Sequence, residues 1–121
     1  GPPGSGKSSL ALALIDRGAV LVGDDGVMLS RFDDRLLASA PPNAEGVLEV
    51  RNVGLLDFPY ARDIPLALVL RLDPQASRYI EAAEAVAFEG VTLPLVRLWP
   101  DSPVLHLRAE AALRQWGLVF G

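Results

Sequence analysis

Residues Gly1-Pro2-Pro3-Gly4-Ser5-Gly6-Lys7-Ser8 match the phosphate-binding pattern G-x-x-x-x-G-K-[ST] at every fixed position. Gly1, Gly4 and Gly6 let the backbone curl with no Cβ in the way, so successive N–H groups can point inward at phosphate oxygens. A helix starting near Lys7 adds the positive end of its dipole. Lys7 supplies a full charge for the β- and γ-phosphates, and the Ser8 hydroxyl is placed to ligate Mg²⁺. The nucleotide-binding set is therefore Gly1, Gly4, Ser5, Gly6, Lys7, Ser8 and Ser9. A Gly-rich turn without a ligand would have to produce all these fixed residues by chance.

Asp24 and Asp25 form the second feature. A helix over residues 8–17 travels roughly 15 Å from the loop at about 1.5 Å per residue. A strand over residues 19–23 travels roughly 16 Å back at about 3.3 Å per residue. A right-handed crossover then sets the carboxyl end of that strand beside the loop. One carboxylate there can hold or orient Mg²⁺, and the other can take the proton of an attacking hydroxyl. Adjacent strand residues point to opposite sides, which argues for two different roles. The plainer reading makes Asp25-Gly26 a hairpin turn and Asp24 a solvated neighbour.

Glu49 and Arg51, in Leu48-Glu49-Val50-Arg51-Asn52, are the third candidates. In a strand they share a face and could offer a metal ligand and a phosphate clamp; they could equally form an exposed ion pair of little consequence. His106, the only histidine, has no triad or metal partner beside it and reads as structural. Trp99 and Trp116 read as packing residues, and Asp33-Asp34 as a solvated turn.

The elements that must position these groups alternate irregularly. Residues 8–17 read as a helix stopped by Gly18, and residues 19–22 as a strand buried on both faces. Strands follow at 27–31 and 35–40, joined by the Phe32-Asp33-Asp34 turn, with a loop over 41–46. Residues 47–51 read as a strand, 54–58 as a loop with apolar contacts, and 65–72 as the plainest strand of the second half. The stretch 74–89 is ambiguous. Residues 91–98 read as a strand that Pro94 places at an edge or bulge. Residues 103–116 read as a helix with Ser102 as N-cap, Pro103 in the first turn and Gly117 at the end. The expected fold class is α/β, a P-loop-containing mixed sheet with flanking helices. A P-loop ordinarily follows a buried strand, so residues 1–121 are expected to be a single P-loop domain lacking its N-terminal strand.

The chain has 121 residues, half of them hydrophobic, enough for one ordinary core. Its net charge of -4 argues against nucleic acid as the main partner. The absence of cysteine excludes disulfides and thiolate metal sites. No apolar run reaches ~18 residues and no leader is visible, so a membrane partner is not expected and the cytoplasm is the default.

The P-loop, the Asp pair 16 residues beyond Ser8, and Leu48-Glu49-Val50-Arg51-Asn52-Val53-Gly54 together resemble the catalytic domain of bacterial HPr kinase/phosphorylase, in a short form. There the series runs P-loop, short helix, V-A-D-D and L-E-I-R-G-L-G. The resemblance is clearest over residues 1–57. It implies a nucleotide domain similar to that of phosphoenolpyruvate carboxykinase, and ATP with Mg²⁺ as cofactors. Lys7 and the loop amides would bind ATP, and Ser8 and Glu49 would lie at the Mg²⁺ site. Asp24 would be the base toward a serine of the phosphocarrier protein HPr, Asp25 would support the metal or orient Asp24, and Arg51 would assist at the phosphates. It further implies a homo-oligomer, typically a hexamer. Asn52 departs from the family's glycine, and the family's P-G-R-N loop has no counterpart in the segment from Trp99 to Arg108. The kinase direction survives these departures better than phosphorolysis. A P-loop kinase of small metabolites would want an Arg-rich lid, which is not seen. A nucleotide-sensing module without turnover is the remaining alternative.

Overall fold

The computed structural model describes residues 1–120. Its contacts divide into two compact units, one joining Gly1–Lys7 to the chain from Leu66 onward, the other comprising Ser8–Pro65. Their boundary falls after the first residue of helix α1 (Lys7–Asp16).

In the Ser8–Pro65 unit, α1 ends where Gly18 takes a φ of 103°, a conformation glycine adopts at little cost. Strands β1 (Met28–Phe32) and β2 (Arg35–Ser39) form a hairpin around Asp33, and β2 also pairs with β5 (Ile64–Pro65). A second hairpin joins β3 (Val47–Val50) to β4 (Gly54–Asp57). Leu36 and Leu48 are fully buried and, with Leu21, Ala38 and Ala40, make this unit's core.

The other unit holds a three-stranded mixed sheet. Strand β8 (Val91–Leu98) lies centrally, parallel to β6 (Val69–Leu72) and antiparallel to β7 (Glu84–Phe88). Helix α2 (Leu105–Trp116) packs on β8. Leu93, Leu95 and Val96 of β8 join Leu105, Ala109 and Ala112 of α2 among the buried residues. Trp99, expected as a packing residue, is exposed, while its Nε1 donates to the Ala76 carbonyl at 2.6 Å and the Arg108 guanidinium lies 5.6 Å from its ring centre. The mixed α/β class expected from the sequence is the one observed.

Several local expectations change. Residues 19–22 form only an isolated parallel bridge, Leu21 to Tyr60, and Val20 is exposed; Ala61 N–H to the Leu21 carbonyl is their backbone link. Residues 54–58, expected as a loop, contain β4, because the hairpin register from β3 carries the chain back regardless of its composition. The apolar run 65–72 divides into the end of β5 and β6, on opposite sides of the boundary between units. Pro94 sits in the central strand, in the half that only β7 flanks, since pairing with β6 begins at Leu95. Helix α2 starts two residues later than expected. Ser102 therefore acts one turn earlier, its Oγ accepting the Val104 N–H and its carbonyl the Leu105 N–H.

Candidate functional site

The loop that opens the chain is held in shape by its own backbone. Ser5 N–H donates to the Pro2 carbonyl at 3.2 Å, and Lys7 Nζ donates to the Gly1 carbonyl. Gly4 and Gly6 have φ of 79° and 98°, where a side chain would be strained. At Gly1 the reason for glycine is space, since a Cβ would lie 2.7 Å from Ser5 Oγ. Ser5 Oγ is itself buried with no hydrogen-bond partner, an orphaned polar atom within the loop. A buried hydroxyl left open is what a loop built around an anionic oxygen would contain, so these residues fit a nucleotide phosphate. Only the motif pointed to Ser5; its burial has no signal in the sequence.

In the Ser8–Pro65 unit, the carboxylate of Asp24 is the meeting point. Its Oδ1 accepts the Ser8 hydroxyl at 2.8 Å, and its Oδ2 accepts the backbone N–H of Glu49 at 3.1 Å. Helix α1 supplies Ser8, the segment after the Leu21 bridge supplies Asp24, and β3 supplies Glu49. Gly23 makes the approach possible, because a Cβ there would meet the Gly26 carbonyl at 3.1 Å and the Ala40 backbone at 3.5 Å. Asp25 follows at a φ of 56°, at the centre of a tight turn closed by the Gly26 N–H on the Asp24 carbonyl at 2.7 Å. Such a turn is rare for a residue with a Cβ, and strain of this kind concentrates at functional sites. The turn leaves Asp25 exposed and Asp24 half-buried.

The remaining candidates are placed differently. Glu49 meets Asp24 through its main chain, and its own side chain is exposed. Arg51 lies in the turn after β3 rather than in the strand, exposed, so the expected shared face with Glu49 is not formed. Ser9 is an exposed residue of α1. Among the described residues no group of three or more His, Asp or Glu side chains converges as a metal cage. Mg²⁺ bound with nucleotide does not require one, since it is usually held by one or two carboxylates, waters and the phosphates themselves. The backbone N–H of Glu49 as a partner of Asp24 could not have been read from side-chain types.

The family described as the HPr Serine kinase C-terminal domain matches residues 1–61. The HPr kinase/phosphorylase of Clostridium tetani is 46% identical over 59 residues, and that of Bordetella petrii 50% identical over 59 residues. These matches span 49% and 48% of this chain and 19% of each relative's own length. A solved structure, the Hpr(Ser) kinase/phosphatase from Coxiella burnetii, superposes with a TM-score of 0.81 at 27% identity, covering 93% of this chain and 77% of that one. No helix among the described residues is long and apolar enough to cross a membrane.

Proposed function

This chain belongs to the HPr serine kinase C-terminal domain family, and on that premise we propose that it transfers a phosphoryl group from ATP to a serine of HPr or a related phosphocarrier protein. The observation that carries the reading is the Asp24 carboxylate, bound at once to the P-loop hydroxyl of Ser8 and to the backbone of Glu49. A carboxylate tied to the motif serine is where phosphoryl-transfer chemistry needs one.

Bound Mg²⁺-ATP supplies the phosphoryl group and neutralises its charge; the chain supplies positioning and proton transfer. The amides of Gly4, Ser5 and Gly6 and the ammonium of Lys7 hold the phosphates, and Ser8 and Ser9 stand at the start of the helix whose dipole favours them. Ser8 and Glu49 would hold the metal. Asp24 takes the proton of the substrate serine as its oxygen bonds to the γ-phosphorus and the bridge to ADP breaks. Asp25 would orient Asp24 or support the metal, and Arg51 would assist at the phosphates. The family's P-G-R-N arginine has no counterpart here, so the kinase direction is the one proposed.

The Ser8–Asp24 hydrogen bond also favours a second division of labour, in which Asp24 organises the metal through Ser8 and the exposed Asp25 is the base. The two are separable. Wild-type protein and Asp24→Asn are incubated with γ-labelled ATP, Mg²⁺ and purified HPr, and ATP affinity is measured alongside. Transfer to serine by the wild type supports the function; ATP binding without it refutes it. Lost transfer with intact affinity makes Asp24 the base, whereas lost Mg²⁺-dependent affinity makes it the metal's organiser.

A further inference from the structure

A cleft of about 230 Å³ opens in the Ser8–Pro65 unit, with Met28, Pro42, Glu45, Tyr60, Arg62 and Asp63 in its walls. Small-molecule sites run to roughly 300–1,000 Å³, so this one has room for a single long side chain. Its walls are fixed in place. Tyr60 is bridged to Leu21 and packs where Gly46 lacks a Cβ, which would lie 2.9 Å from the ring. Asp63 and Ser39 hold each other. The Asp63 N–H donates to Ser39 Oγ at 2.7 Å, and that hydroxyl donates to Asp63 Oδ1 at 3.2 Å. These bonds keep Asp63 at a φ of 55°, uncommon for a residue with a Cβ.

The charges around the cleft are unevenly used. Arg62 is turned onto Tyr60, its guanidinium 5.6 Å from the ring centre and donating to the phenol oxygen at 3.1 Å. That bond, more than the charges of Glu45 and Asp63, raises its pKa. Glu45 is half-buried and makes no hydrogen bond or ion pair among the described residues. Asp63 keeps Oδ2 open, since only its Oδ1 takes the Ser39 hydroxyl. Two carboxylates against one occupied guanidinium leave the cleft negative. Water alone can satisfy an exposed carboxylate, but a half-buried one beside apolar walls is better matched by a cation. Met28 and Tyr60 suit the methylene stem that carries such a cation in Lys or Arg.

The cleft also adjoins the carboxylate pair. Ala40, in its wall, has its Cα 3.5 Å from the place of a Gly23 Cβ, and Gly23 directly precedes Asp24. Ala61, in the same wall, donates its N–H to the Leu21 carbonyl at 2.8 Å. The segment that delivers Asp24 and Asp25 is therefore packed against the residues that line the cleft.

We infer that this cleft docks the phosphoryl-accepting protein, taking one Lys or Arg side chain of that partner onto Glu45 and Asp63. This rests on the protein-kinase reading above, and it adds a basic residue that the substrate must present near its target serine.

Steady-state transfer over a range of HPr concentrations tests it, with wild type, Glu45→Gln, Glu45→Lys, Asp63→Asn and the exposed control Glu81→Gln. Glu45→Gln and Asp63→Asn raise KM for HPr about tenfold and Glu45→Lys raises it further, while kcat and ATP affinity hold. Glu81→Gln matches wild type. Thermal unfolding of Glu45→Gln stays at the wild-type midpoint, because no partner within the fold is lost. Single Ala replacements of the Lys and Arg residues of HPr then find the inserted side chain: its loss raises KM with wild type but not with Glu45→Gln. A KM for Glu45→Lys within about twofold of wild type, or no HPr cation coupled to Glu45, overturns this inference alone. No transfer to HPr by the wild type overturns the proposed function and this inference together.

Discussion

Ser8 Oγ donates to Asp24 Oδ1 at 2.8 Å, across 16 residues of sequence. One residue belongs to the phosphate-binding motif and the other to the carboxylate pair, so the bond joins two features that the sequence presents separately. Helix α1 carries the chain away from the motif and the Leu21–Tyr60 bridge fixes its return. The second oxygen of Asp24, on the Glu49 N–H, then locks the carboxylate against β3.

Removing charge at Asp24 tests this hub. In Asp24→Asn the amide keeps an acceptor oxygen for Ser8 but cannot act as a base. Loss of general-base catalysis lowers transfer by about 10²- to 10⁴-fold. Steady-state transfer rates on HPr, compared with ATP affinity of the same variant, measure the split.

Lys7→Ala removes the motif's charge without touching the Ser8–Asp24 bond. ATP affinity falls by about tenfold or more, as expected for the loss of charge-assisted contacts to phosphate. Equilibrium dialysis with ATP shows it, and unchanged affinity would mean the loop holds nucleotide by its amides alone.

Much of this arrangement can be read in the residues themselves, and the reasons for the rest are specific. The loop glycines, α1 with its Gly18 stop, the β1–β2 hairpin around Asp33 and α2 all announce themselves through residue types with strong conformational preferences. Strand β4 does not. Gly54, Leu55, Leu56 and Asp57 are all exposed, so no period-2 alternation marks them, and only the register with β3 makes them a strand. The strand expected at residues 19–22 shrinks to the single bridge from Leu21 to Tyr60, because Ala19 N–H is still turned back to the Leu14 carbonyl at the end of α1. At the site, the Asp pair was legible from its spacing to Ser8, whereas the Glu49 contact runs through a main-chain N–H that any residue would carry.

Gly46 makes a stability prediction that is independent of catalysis. Its φ is 75°, and a Cβ would lie 2.8 Å from the Phe58 carbonyl and 2.9 Å from the Tyr60 ring. Both the backbone conformation and the space reject a side chain, so Gly46→Ala destabilises by about 2–4 kcal/mol. Urea denaturation of the variant against wild type measures the difference.

Acid unfolding reports on Asp73. The N–H of Gln75, then the Arg97 guanidinium, hold its carboxyl below the ordinary carboxylate value. A carboxyl with a depressed pKa in the folded state stabilises the fold above its unfolded pKa of 3.8, and that contribution is lost as pH falls through the lower folded value. The stability gap between wild type and Asp73→Asn is therefore constant near neutral pH and narrows below about pH 4. Denaturation midpoints taken from pH 7 down to pH 2.5 trace it; a gap that widened on acidification would contradict the pairing.

The most direct test of the account is mass-spectrometric detection of phosphoserine on purified HPr after incubation with this protein, ATP and Mg²⁺, run in parallel with Asp24→Asn. The account predicts a single phosphoserine from the wild type, none above background from Asp24→Asn, and none when the metal is chelated. ATP-saturated wild-type protein that leaves every HPr serine unmodified would contradict it.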